Sequence, residues 1–282
     1  MSIHHEDDVS ETLRELILFP GSHAANSRGM KNDLAGQVEE LMSGKNPGAE
    51  AYLIGVPSRP AERPQRLLVW LHSAVGSPAD FLPEARLFGN YGFVSVLVLA
   101  PYSKMRSTPL PFRFENPQRE IDLWSNTAEE LSFYIDQLAK RFNIDASSSA
   151  AIGRNLGGSQ LAHWYTKDSR LKNLLITGAV PELSRFWLES KHSLAVQTRQ
   201  QSSSEVLQTY CDAMKPFDLT NSLSKLSGRS VRLQFGRQDP WLDGREPETL
   251  GEIVWLDDDH DMDSPISRED RRLWINRLVN GN

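Results

Sequence analysis

The sequence predicts an α/β fold in which a mostly parallel central sheet is covered by helices on both faces. Short apolar runs alternate along the chain with segments of helical periodicity, and this alternation is typical of a parallel sheet. The chain of 282 residues is long enough to bury one large core and to fold as one domain. Its content of 39% hydrophobic and 24% charged residues is that of a globular protein.

The predicted strands are short runs of mostly apolar residues. They cover residues 52–56, 67–72, 93–100, 149–153, 173–178, 231–236 and 252–256. Helical periodicity is clearest over residues 127–142, where apolar side chains recur at helical spacing behind Thr127 as the predicted N-cap. A last helix is predicted from about 266 to 279, between Pro265 and Gly281.

The rest of the chain divides into a leader, a loop and an insertion. Residues 1–45 are a polar N-terminal leader with a helical extension predicted around residues 32–43, and the main domain covers residues 46–282. Residues 101–126 contain proline and arginine and are predicted to be a loop. Residues 182–225 follow a strand and are rich in serine, glutamine and helix formers, so we expect them to form a helical lid.

Charge, apolar runs and cysteine content limit the partners and the cellular location that we expect. The net charge of -6 argues against nucleic acid or an anionic membrane surface, since both require a basic face. Residues Met1–Asp8 lack the positive start and apolar run of a signal peptide, and no apolar run approaches the ~20 residues of a membrane span. The single cysteine, Cys211, cannot form an internal disulfide, which suits a cytoplasmic location.

One predicted strand breaks directly into a helix at Gly153-x-Asn155-x-Gly157-Gly158. Glycines before and after the central residue allow a sharp, strained turn that lifts its side chain above the sheet edge. Where enzymes use such a turn, the lifted residue is the nucleophile. An amide is neither acidic nor nucleophilic enough to attack an acyl carbon, so Asn155 cannot perform that step.

Three other segments accompany this turn in a fixed order. They are the strand and loop Leu67–Gly76, the strand and Gly-x-x-Asp turn Val231–Trp241, and the strand and acidic loop Glu252–Asp261. With the turn, they resemble the α/β-hydrolase superfamily, closest in style to its esterase, dienelactone-hydrolase and polyhydroxybutyrate-depolymerase-like branches. The resemblance covers roughly residues 50–280 and implies an α/β-hydrolase fold of the carboxylic-ester (acyl) hydrolase type. Asn155, where serine is usual, and Ser73, where glycine is usual, depart from the family pattern.

The resemblance implies a role for each segment. Asp239 is the candidate acid of a catalytic triad, His260 is the candidate base, and Asn155 occupies the nucleophile position. The candidate oxyanion-hole donors are two backbone N–H groups, the first that of Ser73 or Ala74 and the second that of Leu156. No cofactor and no metal is implied. The expected partner is a small molecule that contains a carbonyl or ester group.

The candidate acid and the candidate base each also have a simpler interpretation that involves no catalytic role. Asp239 precedes Pro240, and Asp-Pro is a common turn pair. His260 has many acidic neighbours, which would also suit a solvated loop or a weak cation site. These neighbours are Asp257, Asp258, Asp259, Asp261 and Asp263. Their spacing lacks the glycine turn and the distal glutamate of a calcium loop.

Three explanations of Asn155 remain open. In the first, the chain is a hydrolase-like protein without acyl chemistry, and Asn155, Asp239 and His260 bind a ligand or transfer a proton. In the second, the chain is an esterase whose serine has been replaced by asparagine. In the third, asparagine stands for the aspartate nucleophile of dehalogenases and epoxide hydrolases, although the chain lacks their His-Gly-x-Pro loop. A non-catalytic ligand-binding or interaction protein is the alternative from a different class.

Overall fold

The computed structural model describes residues 40–43, 45, 50–55, 64–71, 82–89, 91–99, 114–243 and 251–280. The fold is built around one β-sheet. Its strands are β1 (Glu40–Ser43), β2 (Glu50–Gly55), β3 (Arg66–Leu71), β4 (Phe93–Leu99), β5 (Ala150–Arg154), β6 (Asn173–Thr177), β7 (Ser230–Gly236) and β8 (Glu252–Leu256). These described strands form an 8-stranded sheet in the order β1-β2-β4-β3-β5-β6-β7-β8. The pairs β1/β2 and β2/β4 are antiparallel, and the other neighbours are parallel. The predicted mostly parallel sheet is therefore confirmed.

Helices cover the sheet on both faces. They are α1 (Leu82–Gly89), α2 (Pro117–Arg141), α3 (Leu156–Lys167), α4 (Leu183–Glu189), α5 (Ser193–Gln201), α6 (Ser204–Met214), α7 (Leu219–Leu223) and α8 (Pro265–Asn280). Two short 3-10 helices span Ala146–Ser148 and Lys215–Phe217. Within the described part of the chain, none of these helices is long and apolar enough to cross a membrane.

The alternation of side chains along β3 shows how the two faces are packed. Leu67 and Val69 point into a core that contains the apolar residues of α2 and α3. Leu68 and Trp70 point the opposite way, into a core formed with α1 and α8. Successive residues of a strand face opposite sides of its sheet, so a central strand covered on both faces is apolar at nearly every position.

Helix α2 begins earlier than the sequence predicts. The helix starts at Pro117, and the Asn116 side chain caps it by accepting a hydrogen bond from the Arg119 N–H. Thr127 is not the N-cap but an internal residue, and its hydroxyl donates to the Leu123 carbonyl at 2.7 Å. A threonine can bond back to the preceding turn, while a proline in the first turn has no N–H to leave unpaired. The predicted loop 101–126 is thus wrong from position 117 onward, and residues 101–113 lie outside the described residues.

The N-terminal leader also needs a correction. Residues 40–43, at the end of the predicted helix 32–43, form β1, which pairs with β2 over Glu40↔Leu53 to Ser43↔Glu50. Glutamate, leucine and methionine favour helices, but pairing with an existing sheet edge overrides so weak a local preference. The remainder of that predicted helix lies outside the described residues.

The segment predicted to be a lid is helical and has its own apolar cluster. Four helices, α4 to α7, lie between β6 and β7, and we call residues 183–223 the insertion. Phe114, just before α2, packs edge-on against two aromatic rings of the insertion, Trp187 at 5.1 Å and Tyr210 at 4.8 Å between centroids. The same cluster contacts the side chains of Leu156 and Trp241. The insertion therefore packs beside the strand-to-helix turn at Asn155.

Candidate active site

The candidate site residues lie at one edge of the sheet. Asn155 directly follows β5, Asp239 follows β7 and His260 follows β8. These strands are parallel and near one another in the sheet, so their carboxyl ends meet at the same edge. The structure thus brings together three of the residues that the sequence singles out. Ser73 and Ala74 lie outside the described residues.

Asp239 and His260 form a close pair. The His260 Nδ1 lies 2.9 Å from the Asp239 Oδ2, and the Asp239 side chain is 0% exposed against 15% for His260. The other carboxylate oxygen, Oδ1, accepts a hydrogen bond from the Trp241 N–H at 2.8 Å. A carboxylate beside Nδ1 selects the tautomer that carries its proton there, which leaves Nε2 as the acceptor. Asp239 therefore closes a turn, as the simpler interpretation expects, and its carboxylate also pairs with the histidine.

Asn155 has a strained backbone at the turn from β5 into α3, and we call this turn, residues 153–158, the elbow. Its φ of 49° and ψ of −123° lie in a region that favours glycine. Among the described residues with a side chain, the others with positive φ are Asp243 and Met262. Such a conformation costs about 1–3 kcal/mol and persists only where its surroundings impose it. Here the Asn155 N–H donates to the Thr177 carbonyl at 2.8 Å, which holds the turn against the end of β6.

Two glycines permit the close crossing of β5 and α3. A Cβ atom at Gly153 would lie 2.6 Å from the Gly158 Cα, and one at Gly158 would lie 2.5 Å from the Ile176 Cγ2. A side chain at Gly153 would require the backbone to move, and one at Gly158 would require Ile176 to move.

The Asn155 amide connects the elbow to two neighbouring loops. In the orientation that satisfies its neighbours, the amide nitrogen donates to the Gly178 carbonyl at 3.0 Å and to the His260 carbonyl at 3.2 Å. Gly178 has a positive φ of 60°, and a Cβ atom there would lie only 2.2 Å from the His260 carbonyl oxygen. A serine hydroxyl has a single proton and could not donate to both carbonyls. Asn155 is 9% exposed, so these bonds are largely shielded from water.

Arg154 makes a second connection between the elbow and the loop that carries His260. Its guanidinium lies 3.6 Å from Asp261 and 3.6 Å from Asp263, and its side chain is only 11% exposed. The sequence offered no signal for this residue, because the elbow motif leaves its position unspecified. The two ion pairs help to explain why aspartates gather around His260.

Asp258, another aspartate of this loop, is a structural residue. It is buried and accepts hydrogen bonds from the Ser264 N–H at 3.1 Å, the Ser264 hydroxyl at 2.7 Å and the Ser267 hydroxyl. Burial by itself would raise its pKa, but the bonds from Ser267 and Ser264 together lower it. Asp258 therefore fixes the loop to the start of α8, which a freely solvated acidic loop would not do.

Sequence reasoning missed an aromatic group beside the pair. The Trp241 indole stacks on the His260 imidazole, with centroids 4.8 Å apart and planes inclined by 17°. Two rings of the insertion contact the same indole, Phe186 at 4.8 Å and His192 at 4.7 Å. The run Asp239-Pro240-Trp241 places Trp241 near the candidate acid, which is a partial signal for its contact with the pair. Nothing in the local sequence indicates that rings of the insertion contact the indole.

The start of α3 offers backbone donors near the elbow. Leu156 is its first residue, and Asn155 at the N-cap makes no side-chain hydrogen bond to the helix. The first N–H groups of a helix have no partner within the helix, and they carry the positive end of its dipole. The Leu156 N–H is one of these groups, and its role as an oxyanion donor stays a prediction.

Cys211 is a poor candidate for a substitute nucleophile. It lies in α6 within the apolar cluster of the insertion, and its side chain is buried. Burial raises the pKa of its thiol to about 12, so the reactive thiolate is scarce at neutral pH.

Solved structures share this architecture at low sequence identity. The 2,6-dihydroxy-pseudo-oxynicotine hydrolase aligns over 98% of this chain and 82% of its own, with a TM-score of 0.61 and 14% identity. Est1E from Butyrivibrio proteoclasticus aligns over 85% and 99%, with a TM-score of 0.57 and 13% identity. The acylaminoacyl peptidase of Pyrococcus horikoshii aligns over 91% of this chain and 43% of its own, with a TM-score of 0.59 and 10% identity.

Comparisons of sequence give no family assignment. No protein-family model matches the chain, and no curated protein matches it. At identities this low, the structural likenesses establish the fold alone. Together with the sheet order and the helices on both faces, they show that this chain has the α/β-hydrolase fold.

Proposed function

We propose that this protein binds a small molecule with a carbonyl or ester group and acts on it by proton transfer, with His260 as the base and without an acyl-enzyme. The observation that carries the proposal is the contact of 2.9 Å between His260 and the buried Asp239, beside the elbow. A pure binding site has no need for a buried carboxylate that orients a histidine. In an acid-base site, such a carboxylate orients the imidazole and stabilises its protonated form.

For hydrolysis the steps are those of general-base catalysis. The His260 Nε2 takes a proton from a water molecule, and the water oxygen forms a bond to the carbonyl carbon as the carbonyl π bond breaks. The resulting oxyanion accepts a hydrogen bond from the Leu156 N–H, and Asp239 stabilises the imidazolium. When the intermediate collapses, the leaving group departs and takes the proton from His260. The same base could instead remove a proton from carbon next to the carbonyl group.

The hydrogen bonds of Asn155 support asparagine, rather than serine, as the residue that fits this position. Both of its N–H groups are directed at backbone carbonyls, those of Gly178 and His260. These bonds support the first explanation of Asn155 over a serine enzyme that has been inactivated, because a serine would leave a carbonyl unpaired. Its amide oxygen is the atom that could accept a hydrogen bond from a ligand.

The class of substrate rests on the chemistry of the site. A histidine base with an oxyanion donor suits a reaction that develops negative charge on a carbonyl oxygen. Among the structures with this fold, one is named as a hydrolase and another as an acylaminoacyl peptidase, which is in keeping with a carbonyl substrate.

The test is turnover of a panel of esters, thioesters and lactones by the parent protein and three variants, one of them a control. We expect His260→Ala to lower the rate by about 10²-fold or more, the contribution typical of a general base, and Asp239→Asn to lower it as well. Asp257→Asn is the matched control, because Asp257 is an exposed carboxylate of the same loop that bonds to Gln238. Its rate should equal that of the parent.

Two outcomes would contradict the proposal. Turnover that is unchanged in His260→Ala would show that another group is the base. If the parent binds panel members, as seen by calorimetry, but converts none, the non-catalytic ligand-binding protein becomes the better account.

A further inference from the structure

We infer that Trp241 is a positioning residue that fixes both members of the Asp239–His260 pair and makes the orientation of the His260 ring depend on the insertion. The inference rests on the proposed function in so far as His260 is the base of the reaction. Trp241 itself has no acid-base role. It acts through the two side chains that it holds.

The backbone of Trp241 orients the acid. Its N–H donates to the Asp239 Oδ1 at 2.8 Å, so Oδ2 is the oxygen that faces the His260 Nδ1 at 2.9 Å. The turn is closed by two more bonds, from the Asp239 N–H to the Gly236 carbonyl and from the Leu242 N–H to the Asp239 carbonyl. The carboxylate plane is therefore set by the same turn that places the indole.

The indole of Trp241 orients the base. It stacks on the His260 imidazole at 4.8 Å with an inclination of only 17°. If the imidazole rotated about its bond to Cβ, it would lose this face-to-face contact and move Nδ1 away from Asp239. Face-to-face contact between aromatic rings contributes beyond the area that it buries, enough to favour one ring orientation several-fold.

The insertion holds the indole in turn. Phe186, from α4, stacks on Trp241 with an inclination of 15°, and His192, just before α5, contacts it at 4.7 Å. The His192 Nδ1 accepts a hydrogen bond from the Leu194 N–H, and burial and the nearby His260 lower the pKa of His192. His192 is therefore an uncharged ring that can pack against the indole.

A second contact ties the insertion to the loop that follows β7. The Lys191 N–H donates to the Asp243 Oδ2 at 3.2 Å, two residues beyond Trp241. The insertion thus meets this loop through both aromatic and polar contacts. A displacement of Phe186 and His192 would remove the packing that holds the indole against His260, and through it change the orientation of the base.

The experiment reads the His260 ring directly by NMR, without substrate. We expect Trp241→Ala to shift the His260 ring-proton resonances and to abolish the low-field resonance of its Nδ1 proton. Both variants keep the backbone N–H that bonds to Asp239, but only Trp241→Phe keeps an aromatic ring, so it should restore the low-field resonance. Phe186→Leu, which alters a residue of the insertion, should shift the His260 resonances as well.

Phe217→Leu is the matched control. Phe217 also belongs to the insertion but contacts His163, at 4.6 Å between centroids, and Trp124 instead of Trp241. Its substitution should shift the resonances of His163 and leave those of His260 unchanged. The reciprocal pattern is expected for Phe186→Leu.

Two results would overturn the inference. A low-field Nδ1 resonance that persists in a folded Trp241→Ala protein would show that the indole does not position the ring. Equal His260 shifts in Phe186→Leu and Phe217→Leu would show that the insertion acts through no specific contact. Because the resonances are read without turnover, failure of the proposed function, seen as absence of any conversion, is a separate result.

Discussion

At position 155, backbone strain and side-chain hydrogen bonding act in opposite directions. The positive φ of 49° destabilises the folded state, whereas the two bonds from the amide to the Gly178 and His260 carbonyls stabilise it. The elbow motif predicts the strain, because glycines surround a residue between strand and helix. It does not predict the two bonds, since their acceptors come from loops distant in sequence.

Two substitutions of Asn155 separate these effects. Asn155→Ala removes both hydrogen bonds and retains the strain, so we expect the free energy of unfolding to fall by about 1–3 kcal/mol. Asn155→Gly removes the same bonds but relieves the strain, so it should be more stable than the alanine variant by roughly 1 kcal/mol. Urea denaturation of the three proteins measures both differences. An alanine variant as stable as the glycine variant would argue against strain at the elbow.

Among the elements, those with strong local signals agree best with their predictions. The parallel strands are apolar at nearly every position, and the last helix is flanked by Pro265 and Gly281. The start of α2 could have been placed correctly from Asn116 and Pro117, a cap followed by proline. β1 could not have been predicted as a strand, because its strand conformation depends on pairing with β2 rather than on its own residues.

The first helix of the insertion, α4, is hydrogen-bonded to a buried aspartate whose pKa is raised. Asp218 accepts hydrogen bonds from the Ser184 N–H at 3.0 Å and from the Ser184 hydroxyl, near the start of α4. Burial raises the pKa of Asp218 from 3.8 to about 6, against the opposing effect of these bonds. The folded state therefore binds this proton more tightly than the unfolded state does. Its effect on stability is most favourable below about pH 4 and decreases as the pH rises to about 6.

Asp218→Asn should remove this dependence on pH. The asparagine does not titrate and can still accept from the Ser184 N–H, so the variant should gain stability relative to the parent as the pH rises from about 4 to about 7. The difference between the two pKa values corresponds to about 3 kcal/mol at most. Denaturation curves at both pH values measure the gain, with the exposed Asp212→Asn of α6 as control. A stability difference that stays constant with pH would contradict the assignment.

At the scale of the whole molecule, three segments distant in the chain meet at one sheet edge. Their order along the sequence predicts that Asn155, Asp239 and His260 lie near one another, because parallel strands bring their carboxyl ends together. The contacts of the insertion with Trp241 are not predictable in this way. They depend on how α4 and α5 pack, and a short amphipathic helix can be placed in many ways by its own sequence.

The buried pair of Arg271 and Glu84 shows how α8 supports this edge. The guanidinium donates to both carboxylate oxygens of Glu84 in α1, at 2.6 and 2.9 Å, and to the Met262 carbonyl at 2.8 Å. Arg271 therefore links two helices to the loop that carries His260. The candidate base is thus held from α8 on one side and from the elbow on the other.

The central claim is that a working acid-base pair stands beside an elbow whose residue cannot act as a nucleophile. The most direct test is the intact mass of three proteins after exposure to a fluorophosphonate: the parent, Asn155→Ser, and Asn155→Ser with His260→Ala. We expect no adduct on the parent, one stoichiometric adduct at the substituted position of the single variant, and labelling slower by about 10²-fold or more in the double variant. A stoichiometric adduct on the parent, or a folded Asn155→Ser protein that stays unlabelled, would contradict the account.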